Sequence, residues 1–90
     1  MKFIYEKRKL RLFNEENNED IGYITFEEKA DLLIIISTVV YEKYQGKGMA
    51  STLIKEMLQY AKNNNFKIKP LCSFVAHYIE KHPEYKELIK

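Results

Sequence analysis

Val40-Tyr41-Glu42-Lys43-Tyr44-Gln45-Gly46-Lys47-Gly48-Met49-Ala50-Ser51 is a glycine-punctuated turn between two strong elements. Before it lies Leu32-Leu33-Ile34-Ile35-Ile36, an unbroken apolar run of strand length. After it, Met49, Ala50, Leu53, Ile54, Met57, Leu58 and Ala61 recur at helical spacing. A strand, a Gly-x-Gly turn and a helix start make an anion site. The glycines let the backbone approach a ligand with no Cβ in the way. The first helical N–H groups have no partner inside the helix and sit at the positive end of its dipole. Phosphates bind there readily.

The glycine spacing narrows the ligand. A P-loop needs Gly-x-x-x-x-Gly-Lys-Ser/Thr, which Gly46-Lys47-Gly48-Met49-Ala50-Ser51 does not supply. The dinucleotide fingerprint needs three spaced glycines, and this turn holds Gly46 and Gly48 alone. Gln45-x-x-Gly48-x-Ala50 does fit a pattern: it resembles the (Gln/Arg)-x-x-Gly-x-(Gly/Ala) motif of the GNAT acetyltransferase superfamily. The resemblance implies that Gln45, Gly46, Lys47, Gly48, Met49 and Ala50 cradle the pyrophosphate of acetyl-coenzyme A. Pro70-Leu71-Cys72-Ser73-Phe74-Val75, followed by His82-Pro83-Glu84-Tyr85, is similar to the tail of the minimal GNAT-like (YjdJ-type) branch. That branch usually carries His-Thr-Glu-Val at the end of the strand before the turn. Here the tetrapeptide is Ser37-Thr38-Val39-Val40, so the role of the usual His does not carry over to Ser37.

Composition sets the frame. Ninety residues make a single domain, expected over 1–90. At 46% hydrophobic it can build one modest core, burying roughly 60–65% of the unfolded surface. Net charge is +2, from 15 basic and 13 acidic residues, far from the basic footprint of a nucleic-acid binder. The lone cysteine, Cys72, excludes an internal disulfide and a zinc quartet, and no metal is expected. It suits a reducing compartment. No apolar stretch nears the roughly 18 residues of a membrane span. Met1-Lys2-Phe3-Ile4-Tyr5-Glu6 has no signal-peptide core, which makes the cytoplasm the expected location.

Along the chain, Lys2 to Phe13 reads as one strand, with Leu10 and Leu12 alternating against Lys9 and Arg11. Asn14 to Asp20 is a polar turn, read as a solvated hairpin loop. Asp20 to Glu28 is a second strand. Leu32 to Val40 is a central strand, apolar on both faces. A helix runs from about Lys47 to Lys62 and stops at Asn63-Asn64-Asn65. Phe66 to Leu71 is a strand parallel to the central one, through a right-handed crossover. Cys72 to Lys81 is a second helix, with Phe74, Val75, Tyr78 and Ile79 on one side, and a short final helix follows Pro83. The expected fold class is α/β (α+β), GNAT-like: an antiparallel three-stranded sheet, then helix, parallel strand and C-terminal helices. In such a fold the parallel strands splay, and the resemblance implies that Val39 and Val40 bond the pantetheine arm through main-chain groups. Ligands of open α/β sheets bind beyond the carboxyl ends of the strands, where Val40 and Cys72 fall.

Acetyl transfer needs positioning, donors at the thioester oxygen and a proton for the departing thiolate. Cys72 meets a helix start, where a thiol gains reactivity from the dipole. It reads as an acetyl-accepting nucleophile or a proton donor; a small buried apolar residue is the alternative. Tyr78 is a candidate general acid, by resemblance to GNATs that use a tyrosine on this helix; a core tyrosine is the alternative. Ser37 stands where the branch has its His. Lys47 adds charge beside the phosphates, or is simply an exposed helix-start lysine. His77 and His82 read as surface or cap residues. The expected function is acetyl-CoA-dependent N-acetylation of an unidentified amine, such as a protein amine. The rivals are an acyl-CoA-binding or sensing module with little turnover and a plain interaction domain.

Overall fold

The computed structural model describes residues Met1–Lys90. Five strands form one sheet in the order β1 (Lys2–Glu6), β2 (Lys9–Asn14), β3 (Glu19–Lys29), β4 (Leu32–Val40), β5 (Lys67–Pro70). β1 to β4 are antiparallel neighbours; β5 joins β4 in parallel. Helix α1 (Met49–Asn63) makes the crossover, and α2 (Ser73–Lys81) follows β5. Short 3₁₀ turns span Glu42–Tyr44 and Pro83–Leu88.

The segment expected as one strand, Lys2 to Phe13, is a hairpin bent at Lys7 and Arg8. The antiparallel part therefore has four strands rather than three. The bend carries no Gly, Pro or Asn, the usual turn residues. What favours it is packing: Phe3 and Tyr5 lie opposite Leu12 and Leu10 on the core face, and the Tyr5 ring stacks on Tyr60 of α1 at 5.0 Å.

The sheet buries one face. Leu10, Leu12, Ile24, Phe26, Leu33, Ile35 and Ile68 share a core with Leu53, Ile54, Met57, Leu58, Ala61, Val75 and Ile79 of the helices. Each fully buried aliphatic side chain there contributes roughly 1.5–3 kcal/mol. The opposite face carries Arg11, Tyr23, Thr25, Ser37, Lys67 and Lys69, none of them buried. β4 is apolar on both faces as expected, but helices cover only one of them, and Ile36 is 39% exposed. Phe74 likewise leaves the apolar side of α2 and is 61% exposed.

Two irregularities position the site. β3 and β4 slip by one residue between Thr25 and Phe26, opposite the step from Ser37 to Ile35, so Ile36 is an unpaired bulge. β5 pairs with β4 from Leu32 only as far as Ile35. The Ile35 carbonyl then accepts the N–H of Leu71 at 3.0 Å and that of Cys72 at 3.1 Å, turning the chain off the sheet. Beyond that point one edge of β4 stands open.

The backbone of β4 crowds β3 at Gly22, with Leu53 of α1 packed above. A Cβ there would sit 2.4 Å from the Val39 carbonyl oxygen and 3.3 Å from Leu53 Cδ1. The neighbours are backbone and a packed core side chain, so little can yield. Gly22→Ala should therefore cost about 1–3 kcal/mol by overpacking. Denaturant titration checks this, and wild-type stability in the variant would refute the close approach.

Candidate functional site

The turn from β4 to α1 adopts the backbone its glycines permit. Gly46 has φ +76° and Gly48 φ +77°, and Gly48 is the N-cap of α1. An L side chain at either position would be strained by roughly 1–2 kcal/mol, although the space around both is open, with nothing within 4 Å of an added Cβ. The last backbone donors before the gap are Tyr44 and Gln45, which close the 3₁₀ turn onto Tyr41 and Glu42; the next is Thr52, bonded to the Gly48 carbonyl at 3.1 Å. The amides of Gly46, Lys47, Gly48, Met49, Ala50 and Ser51 donate to no protein acceptor. A run of free donors at a helix N-terminus, containing two left-handed glycines, has the chemistry of an anion cradle. Lys47 lies within it and forms no ion pair.

The cradle leads into a groove of about 290 Å³ walled by Thr38, Val39, Val40, Gln45, Ala50 and Phe74. Its floor is the open edge of β4. Tyr41 N–H bonds the Ile21 carbonyl at 3.0 Å, and strand groups alternate in direction. The main-chain groups of Val39 therefore face β3, opposite Tyr23, while those of Thr38 and Val40 face the groove. Val39, expected to bond an arm through its main chain, turns those groups to β3, and Thr38 turns its own to the groove, which the Val39 side chain helps to wall. The bulge at Ile36 is the reason, because it shifts the alternation by one residue. Gln45 Nε2 donates to the Val40 carbonyl at 3.0 Å and ties the turn to the strand end.

Cys72 is 8% exposed and forms the N-cap of α2. Its thiol donates toward Thr38 Oγ1 at 3.5 Å, which places the sulfur beside the groove edge on the helix side of the sheet. Ser37 pairs with Thr25 on the opposite, uncovered face. Tyr78 does not join this group. It lies six residues further along α2, roughly 9 Å down the axis, stacked on His82 at 4.1 Å and facing Tyr85. Burial, then the neighbouring Tyr85 and Glu84, raise its pKa, so it stays protonated. His82 is thereby a cap and stacking residue. His77 is exposed, 3.6 Å from Glu80, and shares a shallow hollow with Ser73 and Phe74 beside the groove. Thr38 and Phe74 are the groove residues that sequence reasoning missed. A larger hollow, about 460 Å³, opens between Lys62 and Leu88 near the start of β5; it offers no comparable run of free main-chain donors.

Residues 9–88 match the family of GCN5-related N-acetyltransferases, and the chain belongs to that family. It is similar in structure to a GCN5-like candidate N-acetyltransferase from Staphylococcus aureus, solved by NMR. The two superpose with a TM-score of 0.75 at 28% identity, over 99% of this chain and 87% of the other. No curated protein matches it significantly. The fold is that of an acyltransferase family, and its five-stranded sheet carries one strand more than the sequence reading supplied.

Burial makes a clear prediction for Cys72. The native thiol should react with a maleimide far more slowly than the same thiol in denaturant, because 8% exposure leaves little access. Equal rates by mass spectrometry would place Cys72 outside the packed start of α2.

Proposed function

We propose that this protein binds acetyl-CoA in the cradle and groove and transfers the acetyl group to an amine, a protein amine being a suitable acceptor. One observation carries the reading: the unbonded amides of Gly46 to Ser51 open onto the unpaired edge of β4. The residues present fit the group. Free N–H donors suit pyrophosphate oxygens, and the groove-facing peptide groups of Thr38 and Val40 suit an amide-containing arm, as another strand would. Bound acetyl-CoA supplies an activated acetyl group as a thioester.

The chain's own work is then to bind and to orient. Cradle amides and Lys47 hold the anionic end. Thr38 and Val40 align the arm along β4, and Val39, Ala50 and Phe74 exclude water from it. Such positioning can supply much of the rate. The Cys72 thiol is the titratable group placed beside the groove edge, next to Thr38. It can give its proton to a departing thiolate, or accept the acetyl group itself as a thiolate. Intact mass after incubation with acetyl-CoA separates the two, since only the second route adds an acetyl group to Cys72. Tyr78, remote from the groove, serves packing in this reading.

A second reading, an acyl-CoA-binding or sensing module with little turnover, is favoured by Ser37. A hydroxyl cannot take a proton from an amine near neutral pH unaided, whereas an imidazole can. Ser37 lies on the uncovered face, where a larger side chain meets no helix.

Two experiments decide. Titration with acetyl-CoA, followed by amide NMR, should shift Gly46 through Ser51 together with Thr38 and Val40. Gly48→Val should abolish most of the binding by straining the turn and blocking backbone approach; wild-type affinity in that variant would remove the cradle. Native turnover of simple amines, read by thiol release, should be slow. Ser37→His should then raise the rate by roughly 10²–10⁴-fold if the imidazole reaches the amine as a base, with cofactor affinity little changed. A lowered melting temperature without faster turnover would refute a catalytic role at position 37.

A further inference from the structure

The cradle is held by a segment far from it in sequence. Glu19 begins β3, at the end of the loop that follows β2. Its Oε1 accepts from Lys43 Nζ at 2.7 Å, from the Tyr44 hydroxyl at 2.7 Å and from Asn17 Nδ2 at 3.0 Å. Asn17 Nδ2 also donates to the Tyr44 hydroxyl oxygen at 3.0 Å. Tyr44 is 9% exposed and belongs to the core cluster. It ends the 3₁₀ turn and directly precedes Gln45. Lys43 and Lys47 place their ammonium groups 5.7 and 5.9 Å from the centre of its ring.

This arrangement answers a mechanical problem. The six amides from Gly46 to Ser51 make no internal bonds, and glycine backbone is costly to order. A loop ordered only on ligand binding spends binding energy on that ordering; a loop held beforehand does not. The 3₁₀ turn has only Glu42 to Tyr44 to hold it. Besides the packed Tyr44 ring, its outside ties are polar: the Tyr41–Ile21 and Gln45–Val40 bonds and the Glu19 cluster. The cluster also sorts charge: Lys43 is engaged by Glu19, and Lys47 is left free. Bonds from Lys43 and then Tyr44 hold the Glu19 carboxyl below its ordinary pKa, so it is ionised at neutral pH.

We propose that Glu19, acting through Tyr44, is a positioning residue that pre-orders the phosphate-binding turn, making the β2–β3 loop part of the cofactor site. The proposal rests on the reading of Gly46–Ser51 as the acetyl-CoA cradle. Glu19 touches no reacting atom; it acts on affinity. Its loss should raise KM and leave kcat unchanged.

The test uses the intact protein with Glu19→Ala, Glu19→Gln and Tyr44→Phe. In the free protein, the ¹⁵N order parameters of Gln45 to Met49 should fall from about 0.85 toward about 0.6 or below in Glu19→Ala and Tyr44→Phe. The acetyl-CoA dissociation constant should rise about three- to tenfold in both, the scale of a hydrogen bond or two. Glu19→Gln keeps the acceptor oxygen and should restore most of both. A role in stability alone would lower the melting temperature and leave the order parameters of this turn at wild-type values. Unchanged order parameters, or unchanged affinity, in a folded Glu19→Ala variant overturns the proposal; if that variant does not fold, Tyr44→Phe, which retains the buried ring, decides on the same terms. If the wild-type protein binds no acetyl-CoA, the cofactor reading fails, and the order parameters alone decide whether Glu19 orders the turn.

Discussion

One unpaired residue, Ile36, organises the functional half of the molecule. Before it, Ile35 directs its carbonyl toward β5 and accepts both Leu71 and Cys72. After it, Ser37 and Val39 turn their main-chain groups to β3, and Thr38 and Val40 turn theirs to the open side. A bulge re-aims a strand in this way because the extra residue changes the phase of a period-two structure. The same step accounts for the open edge, since β5 loses its partner where the phase changes. It also brings Thr38 Oγ1 against Cys72. Helix α2 starts from that point, so the wall that Phe74 contributes to the groove follows from it as well.

Much of this was legible in the residues. The apolar run and its end at Val40, the helical recurrence from Met49 to Ala61 and the Gly46–Gly48 turn each carry a strong local signal, and β4 and the buried stripe of α1 lie where the pattern puts them. Asn65, at φ 58°, takes the left-handed conformation expected where α1 ends. The misses have a common cause. The bend at Lys7 and Arg8 lacks turn residues and is selected by Phe3 packing against the core and Tyr5 stacking on Tyr60. The bulge at Ile36 sits inside an uninterrupted apolar run, where period two cannot be read. The bulge sets which of Thr38, Val39 and Val40 turn their main-chain groups to the open side, and no residue of the run signals it. Glu19 looked like part of a solvated loop because its partners, Lys43 and Tyr44, lie 24 and 25 residues away.

The sheet divides the chemistry by face. Cys72 and the Thr38 hydroxyl lie on the side of the helices, in partly buried surroundings. Ser37 and Val39 lie on the side no helix covers, in the row of Thr25 and Tyr23. For an acetyltransferase of this family, a group held along the open edge of β4 would be reachable from both. The covered side suits a proton donor for a leaving thiolate. The uncovered side suits an amine too large for an enclosed pocket. Tyr78 belongs to neither: stacked between His82 and Tyr85, it helps to lock the end of α2 to the final 3₁₀ turn.

The cradle must also sit at a fixed distance from the groove, and polar contacts alone would hold it weakly. Exposed ion pairs such as Lys43–Glu19 contribute little to global stability. The firmer constraint is apolar. Leu53, on the second turn of α1, is fully buried above Gly22, and Gly22 is the cross-strand partner of Val40. The missing Cβ at Gly22 lets the β4 backbone at Val39 and Val40 come close to β3 and leaves room for Leu53 above it. Core packing fixes where the first turn of the helix lies; the Glu19 cluster contacts only the link between, at Lys43 and Tyr44. The two operate on different scales, since a packed core resists displacement strongly while a surface cluster governs the population of loop conformers. That division explains how a chain of 90 residues, with helices on a single face of its sheet, can hold the free amides of Gly46 to Ser51 beside the open edge of β4 without walls on the other side.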